Sequence, residues 1–411
     1  MNVKLYEDAG QIIRYTLDAI LPDQAVREAL SGFKKPAGRT ILVAVGKAAW
    51  QMADAALKEI AVDRGIVITK YDHAKGPLAN CEIFEAGHPV LDENSLKAAK
   101  EALSLVSDLK EEDTVLFLLS GGASALFELP LIPLETLQDL NRQLLACGAS
   151  IEEINTLRKR LSAVKGGRFA LKCAPAHVFS IILSDILGDP LDMIGSGPAY
   201  PDSSTCEDAL RIVEKYRLQI DGKTLALLKK ETPKELGNVT TTLAGNIAIL
   251  CQKAEEICGK LGYETRVLNL ALQGEARIAG KELAEKAVKL AKETHSKIAL
   301  IEGGETVVTL RGKGLGGRNQ ELVLAAVETL AGHNAAVFSL GSDGTDGPTD
   351  AAGAYADGDT LSAMKENGID PAMYLAENDS YHAFKAVGQL LFTGPTGTNI
   401  NDLTVALIDA D

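Results

Sequence analysis

The sequence lacks the features of membrane-spanning proteins and of disulfide-linked secreted proteins. No apolar run approaches the roughly 20 residues that a helix needs to cross a bilayer, and residues 1–10 carry acids where a signal peptide would have an apolar core. The six cysteines form no Cys-x-x-Cys pair. We therefore expect a cytoplasmic protein whose cysteines are buried, reduced thiols, neither disulfide-bonded nor metal-ligating.

Positive charge is also scarce, because 42 lysines and arginines face 56 acidic residues and leave a formal net charge of −14. A nucleic-acid partner needs a basic surface, so we expect none. The six histidines are scattered and indicate no zinc site. The 411 residues, 46% hydrophobic and 24% charged, have the composition of a globular protein large enough for two domains. Assembly into a homo-oligomer is left open.

The common nucleotide signatures of kinases are missing as well. Gly46-Lys47 lacks the upstream glycine of a P-loop and is followed by Ala48, where a P-loop has serine or threonine. No His-Arg-Asp loop of protein kinases occurs. An ATP-using enzyme with this sequence would therefore belong to a less common fold.

One stretch resembles the fingerprint of dinucleotide-binding folds. Gly312-x-Gly314-x-x-Gly317 follows a predicted strand and opens a predicted helix. Arg318 stands where such loops keep a small residue, and the nearest acid in the expected role, Asp343, comes late. NAD(P) binding therefore stays an alternative.

Short apolar runs rich in β-branched residues recur along the first half of the chain. Three of them, Thr40–Val45, Thr114–Leu119 and residues 178–183, precede a turn and a helical pattern. Unbroken apolar strands that alternate with helices predict a parallel sheet buried on both faces. Ligands of such sheets bind beyond the carboxyl ends of the strands, so we expect the chemistry there.

A second series of strands and helices begins near Asn238 and reads as a further βαβ series. Its predicted strands are residues 239–244, 264–268, 297–301, 306–310 and 335–340. Residues 229–237 are polar and contain Pro233, as expected of a linker. The predicted organisation is therefore an α/β protein with one domain at 1–238 and another at 239–411.

Two of the strand ends carry residues suited to binding an anion. Lys47 follows Gly46 at a predicted helix start, where a cation is unfavourable unless it meets an anion or stays solvated. Ser120, Gly121, Gly122, Ala123 and Ser124 follow the strand Thr114–Leu119. These five residues, called the Ser120 loop below, could present backbone N–H groups to a ligand or simply form a tight turn.

Acidic residues follow glycine-rich turns at three further junctions. They are Asp185 and Asp189, with Gly195, Ser196 and Gly197 close behind; Glu305, with the cation Arg318; and Asp343 with Asp346. Carboxylates at such places could hold Mg²⁺ or orient a hydroxyl, although aspartate is also a common turn former. The combination of carboxylates, isolated cations and bare backbone favours phosphoryl transfer, where catalysis is mostly positioning and neutralisation of charge.

The only strongly basic stretch is residues 155–168, with the sequence NTLRKRLSAVKGGR. It could guide ATP towards the site, or it could be the solvated face of a helix. The sequence leaves both interpretations open.

Taken in order along the chain, these motifs resemble those of the glycerate 2-kinases of the MOFRL type. The matching segments are Gly46-Lys47, the Ser120 loop, the basic stretch as far as Gly167, Asp185-x-x-Gly188-Asp189-Pro190, Gly303-Gly304-Glu305-Thr306, Gly316-Gly317-Arg318-Asn319-Gln320-Glu321, Gly341-Ser342-Asp343-Gly344-x-Asp346-Gly347 and Thr393-Gly394-Pro395-Thr396-Gly397-Thr398-Asn399. The match covers nearly the whole chain, which makes it far more specific than any single glycine motif.

The resemblance implies an ATP-dependent kinase that uses Mg²⁺ or Mn²⁺ and makes 2-phosphoglycerate from D-glycerate. It also implies a Rossmann-like N-terminal domain, a smaller α/β C-terminal (MOFRL) domain and a site in the cleft between them. Its partners would be small molecules, without nucleic acid or membrane. A hydroxypyruvate reductase, a label that members often carry, and a non-catalytic nucleotide or sugar-acid binding module remain alternatives.

The resemblance and the chemistry together suggest roles for the candidate residues. The predicted catalytic residues are Lys47 and Arg318, which would neutralise anionic groups, and Asp189 and Glu305, which would orient substrate or metal. The predicted nucleotide cradle is the Ser120 loop with Gly195, Ser196 and Gly197. The predicted metal ligands are Asp185, Asp343 and Asp346, of which Asp343 or Asp346 could instead accept the hydroxyl proton.

Overall fold

The computed structural model describes residues 1–293 and 295–409 and separates into two units, each built around its own six-stranded sheet. The N-terminal unit comprises Ala25–Ser184 and Asp189–Ala244. The C-terminal unit comprises Met1–Gln24, Asp185–Gly188 and Gly245–Asp411. None of the described helices is long and apolar enough to cross a bilayer.

The N-terminal unit contains the strands β1 (Thr40–Val45), β2 (Arg64–Lys70), β3 (Cys81–Ala86), β4 (Thr114–Leu119), β5 (His177–Leu183) and β6 (Val239–Gly245). Their order is β3-β2-β1-β4-β5-β6, and β1 to β5 pair in parallel. The central strands are buried on both faces: Leu116 packs with Met52 on one face, and Phe117 packs against Phe169 on the other. This order is that of a Rossmann-like fold, so the predicted fold class is confirmed.

Nine α-helices, the first of which begins just before the unit, and a 3₁₀ helix (Ile194–Ser196) connect and flank these strands in the described part of the unit. The α-helices are α2 (Pro22–Leu30), α3 (Ala49–Glu59), α4 (Glu93–Leu105), α5 (Ala123–Leu126), α6 (Leu134–Ala146), α7 (Ile151–Arg160), α8 (Arg168–Cys173), α9 (Cys206–Tyr216) and α10 (Gly222–Leu228). Asp92, Ser150 and Thr205 begin α4, α7 and α9 with capping boxes. These boxes satisfy N–H groups that the helix itself cannot pair, and so they fix where each helix starts.

The C-terminal unit contains the strands β7 (Glu264–Leu272), β8 (Ile298–Gly304), β9 (Ala335–Gly341), β10 (Gly353–Asp357), β11 (Leu390–Leu391) and β12 (Asp402–Ile408). Their order is β11-β10-β9-β12-β8-β7, in which β7 and β8 are parallel and the other pairs antiparallel. A second α/β domain is confirmed, but a continuous βαβ series is wrong beyond β7 and β8. The last strand, β12, lies between β8 and β9, residues 306–310 form no strand, and residues 239–244 join the first sheet.

The described helices of the C-terminal unit are α1 (Val3–Ala19), α11 (Ile247–Lys260), α12 (Ala276–Glu293), α13 (Arg318–Leu330), α14 (Thr360–Glu366), α15 (Pro371–Ala376) and α16 (Ser380–Val387). The first helix, α1, buries Leu5 and Ile12 in the same apolar cluster as Phe338 and Tyr355. Burying such side chains contributes about 1.5–3 kcal/mol each. This packing makes the N-terminal helix part of the C-terminal unit.

The two units differ from the predicted division at 238/239 in three places. Met1–Gln24 and Asp185–Gly188 belong to the C-terminal unit, and the last segment of that unit begins at Gly245, not at residue 239. The reason is tertiary packing, since α1 covers strands far away in sequence and β6 completes the first sheet. Periodicity along the chain reports that a helix or strand exists, but not which core it joins.

Lys159 and Arg160, in the basic stretch at residues 155–168, are buried. At these two positions the stretch is therefore neither a solvated helix face nor a surface that ATP could contact. The Lys159 ammonium lies 2.8 Å from an oxygen of Asp192 and 3.1 Å from one of Asp202. The Arg160 guanidinium lies 3.3 Å from the other oxygen of Asp202. Buried cations need such partners, and these lie more than 30 positions away in the chain.

Candidate functional site

The N-terminal unit brings Lys47 and the Ser120 loop together where the strand order of the sheet reverses. Val45 and Leu119, the last residues of β1 and β4, are direct partners in the parallel sheet. The two chains therefore leave the sheet side by side, and the Lys47 N–H donates to the Gly121 carbonyl over 2.9 Å. Ligands of open α/β sheets bind at this kind of position.

Gly122 has the backbone conformation and the space that only glycine tolerates. Its φ is +89°, and a Cβ there would lie 3.1 Å from both Lys47 Cγ and His88 Cδ2. The Lys47 and His88 side chains thus pack directly on the Ser120 loop. Burial and the nearby Lys47 charge lower the pKa of His88, so the imidazole is neutral at pH 7.

The Lys47 ammonium is available for an anion from outside the protein. Within the N-terminal unit, as far as it is described, no carboxylate oxygen lies within 4.0 Å of it. The residue itself is partly exposed. A partly exposed cation beside bare backbone is the arrangement that binds phosphate groups.

A buried lysine joins the two predicted nucleotide-binding segments. Lys165 donates from its ammonium to the carbonyls of Ser124 (2.9 Å), Phe127 (3.1 Å) and Gly195 (3.5 Å). Glu128, also buried, has a carboxylate oxygen 3.6 Å from this ammonium. Burial lowers the pKa of Lys165 to about 8, and the charge of Glu128 opposes that shift. Lys165 therefore fixes the Ser120 loop against residues 195–197.

Residues 195–197 are held mainly by contacts inside the unit. Ser196 is buried, and its hydroxyl donates to the Asn155 side chain over 2.9 Å. The Gly167 N–H donates to the Gly197 carbonyl over 2.7 Å. The predicted catalytic residue Asp189 also belongs to this unit and is partly exposed, with a φ of +50°.

In the C-terminal unit, Arg318 is fixed by two carboxylates. Its Nε and Nη2 atoms lie 2.5 and 2.9 Å from the two oxygens of Asp402, and its Nη1 lies 2.7 Å from an oxygen of Glu305. Burial disfavours the guanidinium charge, but the hydrogen bonds and charge of Asp402, together with the charges of Glu305 and Asp346, outweigh it and raise the pKa of Arg318. Three of its five donors are used, which leaves two for a ligand.

Asn401 ties this ion-pair cluster to the segment Asp185–Gly188. Its side-chain amide donates to the Asp185 carbonyl (3.1 Å) and to the other oxygen of Glu305 (3.3 Å). A cavity of about 690 Å³ is lined by Glu305, Arg318 and Leu187, among others. The predicted residues Asp185, Glu305 and Arg318 therefore lie in one region of this unit.

Asp346 and Asp343 have different surroundings although they share one loop. Asp346 is buried, and its two oxygens accept from the N–H groups of Asn319 (3.1 Å) and Gln320 (2.9 Å) at the start of α13. Burial raises the pKa of Asp346 to about 6, and these two hydrogen bonds oppose the shift. Asp343 is partly exposed, and one of its oxygens accepts from the Thr345 N–H over 2.9 Å. Asp346 thus supports the helix, whereas Asp343 faces solvent.

The carboxylates of the predicted metal site could supply only part of the ligand shell of a Mg²⁺ ion. Among the described residues, the one group of three whose ligand atoms lie within 4.8 Å of one another is Cys206, Glu207 and Glu231, and it contains none of the predicted ligands. Mg²⁺ bound with a nucleotide needs only one or two protein carboxylates, because phosphates and water complete its shell. Asp343 offers such an oxygen donor.

The stretch that resembles a dinucleotide fingerprint lacks the structure that the fingerprint requires. The segment before Gly312 is irregular, and the Gly314 N–H donates to the Glu377 carbonyl over 2.8 Å. The next N–H, that of Leu315, donates to Asp379. The helix α13 follows at Arg318, but these glycines pack against protein backbone and no strand leads into them, so the strand-turn-helix unit that cradles a pyrophosphate is incomplete.

Three contributors were not singled out from the sequence: Asp402, Asn401 and Lys165 in its linking role. Asn401 and Asp402 stand at the start of β12, whereas the candidates elsewhere follow the ends of strands. Because β12 runs antiparallel to β8, its start lies beside the carboxyl end of β8. Lys165 gave no such signal, since its partners are backbone carbonyls.

Comparison with known proteins gives a consistent picture along the chain. Residues 8–229 match the model of a domain of unknown function, DUF4147, and residues 298–402 match the MOFRL family. A D-glycerate 2-kinase of Thermotoga maritima is 52% identical over 97% of both chains. A glycerate 2-kinase of Pyrococcus horikoshii is 41% identical over 90% of this chain and 88% of its own. The crystal structure of a glycerate kinase from Thermotoga maritima superposes with a TM-score of 0.94 at 50% identity, over 98% of this chain and 99% of that one.

Proposed function

Because the chain belongs to the glycerate 2-kinase family of the MOFRL type, we propose that it transfers a phosphoryl group from ATP to the C2 hydroxyl of D-glycerate. The products are 2-phospho-D-glycerate and ADP. The structural observation that carries the proposal is Arg318, fixed by Asp402 and Glu305 beside a cavity of about 690 Å³. A guanidinium with two unused donors recognises a carboxylate or a phosphoryl group in a defined orientation.

For the glycerate side we assign roles to residues of the C-terminal unit. Arg318 binds the substrate carboxylate or the transferring phosphoryl group. Glu305 is partly exposed beside it, which supports a role in orienting the C2 hydroxyl. Asp343 is our candidate metal ligand, because both oxygens of Asp346 are already used by the N–H groups of α13. Mg²⁺ would supply neutralisation of phosphate charge when it is bound with ATP.

For the ATP side we assign the phosphates to the Ser120 loop and Lys47. The support is their position at the switch point of a Rossmann-like sheet and the absence of a carboxylate partner for Lys47 among the described contacts of its unit. Residues 195–197 support that loop through Lys165. Asp189 stays a candidate for orienting the substrate or metal.

The experiment that tests this function is a pair of coupled assays on the full chain. ADP release is measured with D-glycerate and ATP, and NADH oxidation is measured with hydroxypyruvate. We expect turnover only in the first assay, abolished by a chelator and restored by Mg²⁺ or Mn²⁺. Turnover only in the second assay would favour the reductase alternative, and turnover in neither would favour a binding module.

We also place the reaction in the cytoplasm. All six cysteines are free thiols, and the reducing cytosol keeps thiols in this state.

A further inference from the structure

His88 stands just beyond the carboxyl end of β3 and contacts the Ser120 loop, yet the reaction proposed above assigns it no role. A Cβ on Gly122 would lie 3.1 Å from its Cδ2 and 3.3 Å from its Nε2, so the Nε2 edge of the ring faces the loop. Neither ring nitrogen makes a hydrogen bond within the described part of the unit, and neither is enclosed by protein. The Nε2 edge is therefore open to a ligand that rests on the Ser120 loop.

Positive charge gathers at this edge of the sheet. The strands β3, β2, β1 and β4 are neighbours in that order, so their carboxyl ends lie side by side. Lys70 is the last residue of β2, and Lys47 follows β1. Both lysines are partly exposed, and in the described part of their unit no carboxylate oxygen lies within 4.0 Å of either ammonium. Uncompensated cations beside bare backbone fit an anion that carries more than one charge.

The acids that lie nearest along the chain are engaged by other groups. Glu85 accepts from the N–H groups of His73 and Ala74 over 3.2 and 3.1 Å. Asp92 accepts from the Tyr71 hydroxyl over 2.7 Å and caps α4. Neither carboxylate forms an ion pair within the described part of the unit. The positive charge at this edge is therefore left for a ligand to neutralise.

The charge of His88 depends on what lies on the Ser120 loop. Burial, followed by the charges of Lys47, Lys70 and His73, lowers the pKa of His88, so the free protein holds this imidazole neutral at pH 7. A phosphate group beside the ring would add negative charge and favour the imidazolium. His88 can therefore change its charge when an anion binds.

We propose that His88 binds a phosphate group of the nucleotide and takes up a proton when the nucleotide binds, an inference that rests on the proposed kinase function. On binding, the imidazole takes a proton from solvent, and the imidazolium donates from Nε2 to an oxygen of the phosphate on the Ser120 loop. Lys47 and Lys70 flank the same group. The charge-assisted hydrogen bond forms only in the complex, so nucleotide affinity depends on pH.

The test is calorimetry of ADP binding to the full chain in buffers of different ionisation enthalpy, which counts the protons taken up per ADP. His88→Gln keeps an amide near the position of Nε2 but cannot carry a charge. Subtracting its proton count from that of the wild type removes the protons that belong to the ADP phosphates. If His88→Gln does not fold, as judged by circular dichroism, His88→Asn serves the same comparison.

The matched control is His177→Gln. Like His88, His177 is partly exposed and has its pKa lowered by burial. It stands at the start of β5, on the opposite edge of the parallel sheet. Its removal should leave both the proton count and the affinity for ADP as they are in the wild type.

At pH 7 the wild type should take up roughly 0.3–1 proton more per ADP than His88→Gln. The Kd for ADP of His88→Gln should be about tenfold higher than that of the wild type near pH 6, and the difference should shrink towards pH 8.5. Equal proton uptake by His88→Gln and a wild type that phosphorylates glycerate would overturn the role of His88 alone. A wild type that does not bind ADP would overturn the kinase function and this inference with it.

Discussion

The two units stabilise their glycine-rich loops with buried charges of opposite sign. In the N-terminal unit, the buried cation Lys165 donates to the carbonyls of Ser124 and Gly195. In the C-terminal unit, the buried anion Asp346 accepts from the N–H groups of Asn319 and Gln320. Burial disfavours the charge in both cases, so it lowers the pKa of Lys165 and raises that of Asp346.

The two partly exposed cations, Lys47 and Arg318, differ in a complementary way. Lys47 has no carboxylate oxygen within 4.0 Å of its ammonium in the described part of its unit, whereas Arg318 forms ion pairs with Asp402 and Glu305. A lysine ammonium is a point charge that can follow a moving phosphate, and a guanidinium held by a carboxylate keeps one orientation. In the proposed function, the N-terminal unit would therefore adapt to its anion, and the C-terminal unit would select one geometry.

The largest effect is expected at the buried cation of the N-terminal unit. Lys165→Met leaves Glu128 buried without its cation, and we expect the free energy of unfolding to fall by about 3–5 kcal/mol. Urea denaturation measures this change. The double variant with Glu128→Gln should recover part of the loss, because the uncompensated charge is gone. If the double variant were less stable than Lys165→Met, Glu128 would not be the partner of Lys165.

The next effect concerns the two partly exposed cations. Lys47→Ala and Arg318→Ala should each raise the barrier by about 3 kcal/mol or more, on the order of 10²-fold in kcat/KM. Both variants should fold, as judged by circular dichroism. Lys47→Arg should keep more activity than Arg318→Lys, since lysine cannot reproduce the fork that Asp402 holds. Near-wild-type turnover in either folded alanine variant would remove that residue from the mechanism.

Asp346 gives a pH test of the buried anion. Its pKa is about 6 in the folded chain, above the ordinary value of 3.8, so the folded state binds more protons between these values. The free energy of unfolding should therefore fall as the pH rises from about 4 to 6, by up to about 3 kcal/mol relative to Asp346→Asn. Urea denaturation of both proteins at several pH values measures the difference. A difference that does not change with pH would show that folding does not raise the pKa of Asp346.

The smallest effect is expected at the residue that orients Arg318. Asp402→Asn keeps one acceptor for the guanidinium but loses the charge, and we expect about a tenfold rise in the KM for glycerate. The control is Glu328→Gln, which neutralises an exposed carboxylate on α13 of the same unit. An effect on kcat alone, with an unchanged KM, would contradict a role in binding glycerate.

Sequence patterns predicted three strands of the first sheet, β1, β4 and β5, because each is an unbroken apolar run that ends at a turn; β2 and β3 were not predicted. Thr40–Val45 and Thr114–Leu119 are strands with the predicted bounds, and Lys47 and the Ser120 loop stand at their ends. The same reasoning was wrong for residues 306–310, which have a strand-like composition. They form no strand: Val307 makes only an isolated bridge with Glu275, just before α12, where the neighbouring chain turns into a helix and offers no further strand to pair with.

The sequence by itself determined which residues could carry chemistry: a lysine after a buried strand, acids and an arginine among glycines, and the order of motifs that marks the family. Only the tertiary structure decided which of these side chains meet. Asp402 reaches Arg318 from 84 positions away, Lys165 reaches Ser124 from 41, and Asp346 supports α13 from across a strand. Local periodicity encodes which face of a helix or strand is apolar. The partner of a buried charge is set by long-range packing instead. Desolvation makes a buried charge unfavourable unless the fold places a suitable group beside it.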